Sequence, residues 1–486
     1  MTGIFRNCEN MKVLNIEKFV TNNVKDMSKM FMGCKNLESL NVSKFNTEKV
    51  IDMSYMLSGC TSLTEINLGN FITNNVIHIQ SMFENCSNLT NIDISNFDSN
   101  KVIDTSHLFS NCVSLTELNI GELKFSNALD MSFMFNNCSN LSSLDISHID
   151  PKKAENLSSM FKGCINLLNL DLTNFETTNA KNLSHIFEGC EKLNEINLNK
   201  FNTQNAKDFS YMFSGCKLIK TFDLTNFDTK NVNYMNNMFD DCTNLDSLLI
   251  SIKFDTSKVN SMSEMFKNCE NLRSFDFSTF ITASVNDFSG MFYGCKNLAN
   301  LDINFFNFQN ARDISSMFQF CIKLEEIIFP ESKTRKLEKM DNLFYGCTSL
   351  KSLNLNFLET TGVTKMNKIF YDCKSLEEIQ KIDFDVKKVE EMKGMFQNCH
   401  NLINLNLSSF NSINVKNIDY MFSDCFYLQS LNLENFNTLR CHSFIDSFNN
   451  CTNLEVVLNP ENCENLYSHI PEYVRVKNIT ININPF

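Results

Sequence analysis

The sequence predicts an α/β solenoid: an array of about 18 coils, with a parallel strand ladder on one face and short helical turns on the other. Three observations carry this reading. A cysteine returns at fixed intervals, as Cys8, Cys34, Cys60, Cys86, Cys112, Cys138, Cys164, Cys190, Cys216 and Cys242, then as Cys269, Cys295, Cys321, Cys347, Cys373, Cys399, Cys425 and Cys451. Every step is 26 residues except the 27 between Cys242 and Cys269. Between cysteines, Leu40 and Val42 alternate with polar Ser39, Asn41 and Ser43, the period-two pattern of a strand with one buried face. A unit this small cannot cover its own apolar face, so neighbouring units must complete the core.

The remaining elements follow in chain order. Phe45 comes after the strand as an inward-pointing turn residue and recurs as Phe71, Phe97, Phe175, Phe201, Phe227, Phe280 and Phe410. Thr47, Thr73, Thr177, Thr203, Thr229 and Thr282 come two residues later, where a hydroxyl suits a local turn bond to the backbone. Val50-Ile51-Asp52-Met53 returns the chain on the opposite side. Ser54 to Gly59 reads as roughly one helical turn, with Asp52 or Ser54 as its N-cap. The residue before cysteine is Gly, Asn or Asp in 17 of the 18 repeats, the types that tolerate the left-handed conformation ending a helix. Phe320 is the exception, where strain or a different turn is expected. Phe stands three before cysteine in 17 of 18 repeats, Leu57 being the exception. The Met column (Met30, Met56, Met82, Met134, Met160, Met212) is core filler.

The repeat overrides the ordinary length prior of several globular domains, because a stacked array is one body whose core grows with each unit. A single continuous solenoid over 1–459 and a capping segment over 460–486 are expected. The long step around Leu249, Ile250 and Ile252 reads as a bulge rather than a domain boundary. The charged runs Glu331–Lys339 and Lys387–Lys393 read as altered faces, since the period survives both. Val474 to Ile483 alternates cleanly and reads as a closing strand, ended by Pro485. Met1 aligns with Met27, so the chain opens in mid-repeat and a preceding part of the array is expected. No apolar run reaches the ~18–20 residues of a membrane-spanning helix, and no signal peptide is readable.

The repeat unit Met-Phe-x-x-Cys-x-x-Leu-x-x-Leu-Asn/Asp-Leu-x-x-Phe-x-Thr-x-x-Val-x-x-Met-Ser resembles the bacterial surface protein 26-residue repeat. That family is common among mycoplasma and Listeria surface lipoproteins and is grouped with the BspA-like leucine-rich repeats. The resemblance runs from Met1 to about Asn459. It implies a leucine-rich-repeat type array at a cell surface or secreted, engaged in adhesion or in binding host or matrix proteins.

A formal charge of −13 argues against a nucleic-acid partner held through phosphates. The cysteine column has no Cys-x-x-Cys spacing and no accompanying histidines, which argues against metal. Stacked parallel side chains point the same way and not at each other, so buried free thiols are expected rather than disulfides. Cys441 and Cys463, off the column, are the better candidates for a single bridge. The seven histidines (His78, His107, His148, His185, His400, His442, His469) are scattered and build no recurring catalytic group. There is no phosphate-cradling Gly loop. Neither enzymatic activity nor a cofactor is expected.

The candidate ligand-binding residues are the polar row on the exposed strand face: Asn41, Asn67, Asp93, Asn119, Asp145, Asp171, Asn197, Asp223, Asp276 and Asp302, joined by Arg335 and Lys336 of the charged run. Stacked amides invite ladders between coils. Adjacent acids such as Asp145 and Asp171 would repel unless protonated or shared with a cation. The functional expectation is a non-enzymatic recognition protein that binds protein or glycan through a concave strand face. An intracellular, cytoplasmic scaffold for protein–protein interaction is the alternative.

Overall fold

A computed structural model describes residues 1–380 and 382–478. By packing, the chain divides into two compact units, Met1–Phe254 and Asp255–Phe486. Each is a parallel β-solenoid.

In the first unit the strands pair in parallel at the repeat interval: Val13–Leu14 with Ser39–Leu40, Asn91–Asp93 with Glu117–Asn119, Ser143–Leu144 with Asn169–Leu170, and Thr221–Asp223 with Ser247–Leu249. The register sets Ile92 beside Leu118 and Phe222 beside Leu248. Each strand is two or three residues long, because the polar residue after the buried one turns the chain. The oxygen of Asn41 accepts the N–H of Ser43 at 3.0 Å, an Asx turn. The N–H of Phe45 then bonds Val42 at 2.9 Å and the ring goes inward.

The threonine corner differs from the expected local bond. Thr203 donates to the carbonyl of Asp228 in the next coil at 3.0 Å and accepts the Asp228 N–H at 2.9 Å. Thr47 makes the same pair with Ile72, at 3.0 and 2.7 Å. The hydroxyl replaces one rung of a backbone ladder and ties coil to coil.

The expected helical turns are not formed. Asp52 does cap, with its oxygen 2.8 Å from the Ser54 N–H, but the capped segment is a run of overlapping tight turns. In Met53 to Cys60 the N–H groups of Met56, Ser58 and Cys60 bond three residues back, at 3.2, 3.2 and 3.1 Å. The alternate N–H groups, from Met53, Tyr55, Leu57 and Gly59, bond the next coil at His78, Gln80, Met82 and Glu84, at 2.9, 3.0, 3.0 and 2.7 Å. A helix would return every N–H four residues along its own coil. Here half of them join neighbours. The switch needs two left-handed residues per coil, Tyr55 at φ 57° and Gly59 at φ 76°. The second is the position the sequence marked, and Phe320 keeps it at φ 61° without a different turn. The first carries no preferred residue type, being Lys29, Ser81, His107, Phe133 and Glu264 elsewhere.

The core is columnar. Phe83, Phe109, Phe135, Phe161, Phe187, Phe213 and Phe239 stack with centroids 5.5–5.8 Å apart and planes within 14°, the offset geometry aromatic rings favour. Leu57 interrupts this column and is itself fully buried.

The second unit repeats the plan. Asn300–Asp302 pairs with Glu326–Ile328, and Ser352–Asn354 with Glu378–Gln380. A four-stranded parallel sheet comes next, of Asn404–Asn406, Ser430–Leu433, Glu455–Leu458 and Arg475–Asn478. Its phenylalanine column runs from Phe266 to Phe448. At the charged run the inward ring comes from Phe329, stacked on Phe357 at 4.3 Å, because Ser332 occupies the usual Phe position. Among the described residues one short α-helix, Glu464–Tyr467, precedes the strand Arg475–Asn478. Arg475–Asn478 forms the described part of the expected closing strand; Ile479 to Pro485 lie outside the described residues.

Candidate functional site

The polar row is built by the Asx corner that ends each strand. In the first unit Asn41, Asn67, Asp93, Asn119, Asp145, Asp171, Asn197 and Asp223 are all exposed, and each holds the N–H two residues on, at 2.9–3.1 Å. In the second, exposed Asp276 and Asp302 hold Ser278 and Asn304 in the same way, at 2.9 and 3.0 Å. The principal bonds of the row are therefore within each coil, and the amide ladder between coils is not its main device.

The same bonds answer the question of repulsion. Ser95 and Ser147, by hydroxyl and N–H, hold the carboxyls of Asp93 and Asp145 below the usual carboxylate range. Thr173 and Thr225 do so for Asp171 and Asp223, and Ser278 for Asp276. Asp145 pushes Asp171 the other way, by a lesser amount. Asp93, Asp145, Asp171, Asp223 and Asp276 are thereby held as carboxylates at neutral pH.

Open troughs lie along it. One of 780 Å³ is lined by Ser39, Asn41, Glu65, Asn67, Asn91 and Asp93, and one of 440 Å³ by Asn169, Asp171, Glu195 and Asn197. Both centre on coils, around Ile66 and Ile196, where strand pairing lapses. Arg335 and Lys336 are not brought to the row. They are exposed at the coil positions of Glu48 and Lys49, beyond the threonine corner. Lys336 reaches Asn310 at 2.7 Å, Lys339 pairs with Asp313 at 3.2 Å, and Lys333 bonds the Asn356 carbonyl.

The cysteines are free, and they do more than fill space. The Cys60 thiol donates to the Phe31 carbonyl of the preceding coil at 3.2 Å, and that oxygen also takes the Cys34 N–H at 3.1 Å. The pattern recurs at Cys86, Cys112, Cys216, Cys295 and Cys425. Burial pushes the thiols up, Cys34 to about 11 and Cys164 to about 12, so they are poor nucleophiles. Cys441 and Cys463 are free as well, and their thiols face separate carbonyls, of Ser443 at 3.4 Å and Phe436 at 3.1 Å.

Among the described residues His107 stacks on Phe133, His185 on Tyr211 and His469 on Phe444, and His400 packs tilted against Phe426. Among the described residues no group of three or more His, Cys, Asp or Glu is placed to hold a metal ion. No helix of the described residues is long and apolar enough to cross a membrane.

The profile of the family described as "Mycoplasma protein of unknown function, DUF285" matches residues 1–122, 106–223, 219–329 and 377–469. The chain belongs to this family. The DUF285 ranges pass over 330–376, the stretch that holds Pro330 and the charged run. The resemblance read from the repeat unit is thus borne out. No curated protein matches significantly. Among solved structures, a leucine-rich repeat protein from Bacteroides ovatus is 19% identical over 86% of this chain and 94% of that one, with TM-score 0.46. A leucine rich cell surface protein from Faecalibacterium prausnitzii is 17% identical over 73% and 75%, with TM-score 0.34. A leucine-rich repeat protein from Eubacterium ventriosum is 14% identical over 73% and 81%, with TM-score 0.26. Likeness at this level says nothing of ligand.

Proposed function

We propose that the chain is a non-enzymatic recognition protein, displayed at a cell surface or secreted, that binds a protein or glycan partner through the strand face. The observation that carries this is the ionised, Asx-braced row from Asp93 to Asp223, fixed in place before any ligand arrives. Preorganised polar groups lose little freedom on binding, and a repeating face offers many such groups to one extended ligand. Membership of a mycoplasma repeat family and the polar exterior of the coils support the reading. A second reading, an intracellular interaction scaffold, draws on the free thiols, which suit a reducing compartment.

The test is binding to immobilised matrix proteins and a glycan panel by the native chain and by a variant with Asp93, Asp145, Asp171 and Asp223 changed to Asn. Asn keeps each turn bond and removes the charge. Binding by the native chain that falls at least tenfold in the variant supports the proposal. Equal binding by both removes the strand row from it. Protease shaving of intact source cells separates the two locations.

A further inference from the structure

One outward column is charged or polar except in four consecutive coils. At the position just before the second Asx corner some coils carry charges that pair with the next coil, Glu155 with Lys181 and Glu390 with Lys416, both at 2.7 Å, and Arg312 with Glu338, and others carry neutral polar residues such as Asn233, Asn286 and Thr364. In the first unit the same position is Ile51, Ile77, Ile103 and Leu129. Their backbones are bonded directly: Ile77 N–H to Ile51 at 2.8 Å, Ile103 to Ile77 at 3.1 Å and Leu129 to Ile103 at 2.8 Å. The side chains therefore stand in file, one per coil. Ile51 and Ile103 are 39% exposed and Leu129 52%, with Ile77 half-buried. A contiguous exposed aliphatic file on an otherwise polar or charged column calls for a cover.

Two rows of opposite charge bracket it. Chain order puts Lys49, Asn75, Lys101 and Asn127 on one flank and Asp52, His78, Asp104 and Asp130 on the other. Lys49 and Lys101 reach only neutral amides, of Asn23 and Asn75, both at 2.8 Å. Asp52, Asp104 and Asp130 hold the N–H groups of Ser54, Ser106 and Ser132 at 2.8, 2.9 and 2.8 Å. Among the described residues none of these lysines and aspartates has an ion-pair partner, unlike the Glu155–Lys181 stretch further along the column.

We propose that this file is the contact between two copies of the chain, packed apolar row on apolar row about a two-fold axis running along the row. Such an axis exchanges the flanks, so the lysine row of one copy faces the aspartate row of the other. An axis across the row would set lysine against lysine. The surface is complementary to itself in both respects, apolar to apolar and plus to minus, which is what an isologous contact requires. Four coils at about 4.8 Å make a short interface, below the standard of about 800 Å² per partner. The dimer is therefore weak and depends on concentration.

Sedimentation of the full chain across rising concentration tests this, with the Ile103→Asp, Leu129→Asp double variant alongside. Both sites are outward, and unchanged circular dichroism and melting establish that the variant folds. The native chain forms a dimer whose dissociation constant rises at least about tenfold in the variant and rises several-fold with added salt. Zero-length carbodiimide cross-linking of mixed light and heavy protein joins Lys101 of one isotope to Asp104 or Asp130 of the other. A chain monomeric at every concentration overturns the proposal, including the case where the file instead captures a foreign amphipathic helix. So does a dimer indifferent to the double variant, or one lacking the mixed-isotope link.

Discussion

Removing the hydroxyl of Thr203 isolates the device that joins coil to coil. Thr203→Val keeps the shape of a side chain that is 1% exposed and deletes one donor and one acceptor. The Asp228 carbonyl, at 3.0 Å, and the Asp228 N–H, at 2.9 Å, both lose their partner. Each such loss costs about 1–3 kcal/mol when the orphaned group stays dry, so about 2–6 kcal/mol is expected for the pair. Thr203→Ser is the control, because Ser412 already serves this corner, bonding Asn437 at 2.9 and 2.8 Å. That change deletes only a methyl, worth about 0.8 kcal/mol. Amide hydrogen exchange at Asp228 and its neighbours reads the effect locally, which matters in an array whose coils need not unfold together. A loss of about 2 kcal/mol speeds exchange roughly 30-fold. Exchange at Asp228 unchanged in the Val variant, or equal in Val and Ser, would refute the reasoning.

Phe213→Ala empties a site stacked between Phe187 and Phe239, at 5.8 and 5.7 Å, and should cost about 3–5 kcal/mol; an unchanged denaturation midpoint contradicts the columnar core. Gly215→Ala forces a side chain into φ +74° with its Cβ 3.2 Å from the Gly189 Cα, and a loss of about 1–2 kcal/mol in urea unfolding is expected. Alkaline pH should destabilise the array. Thiols whose folded pKa is raised, such as Cys164 and Cys321 to about 12 from 9.0, contribute stability that is whole below the unfolded value and is lost as pH rises from there through the folded one. The slope is up to about 1.4 kcal/mol per pH unit for each thiol. Urea midpoints from pH 8 to 11 check it, and a flat profile counts against buried thiols.

Much of this was legible in the residues. The cysteine interval gave the coil, Leu40 and Val42 gave the strand, and Gly, Asn or Asp before cysteine gave one left-handed corner that even Phe320 adopts. The turn run mimics a helix in the sequence for a physical reason. Met27, Met30, Phe31 and Cys34 sit at i, i+3, i+4 and i+7, the spacing of a helix face, yet a run of tight turns buries the same set. What separates the two is the left-handed residue at Lys29 and Tyr55, and no residue type announces it. The threonine bond was legible as a hydroxyl bond to backbone but not as one to the next coil, since sequence spacing does not reveal which coil supplies the partner. The exposure of the polar row is legible in the strand alternation, and its Asx bonding is legible in part, where a Ser or Thr stands two residues on, as at Ser95 and Thr173. Arg335 and Lys336 were grouped with that row by charge alone, and the coil places them beyond a corner. The file from Ile51 to Leu129 emerges only when a column is compared with itself, coil against coil.

The most direct measurement is scalar coupling across hydrogen bonds by NMR at Phe213. Its N–H should couple to the carbonyl of Met238, 3.0 Å away in the next coil. Coupling instead to the carbonyl of Phe209, four residues back in the same coil, would mean a helix and would contradict the account.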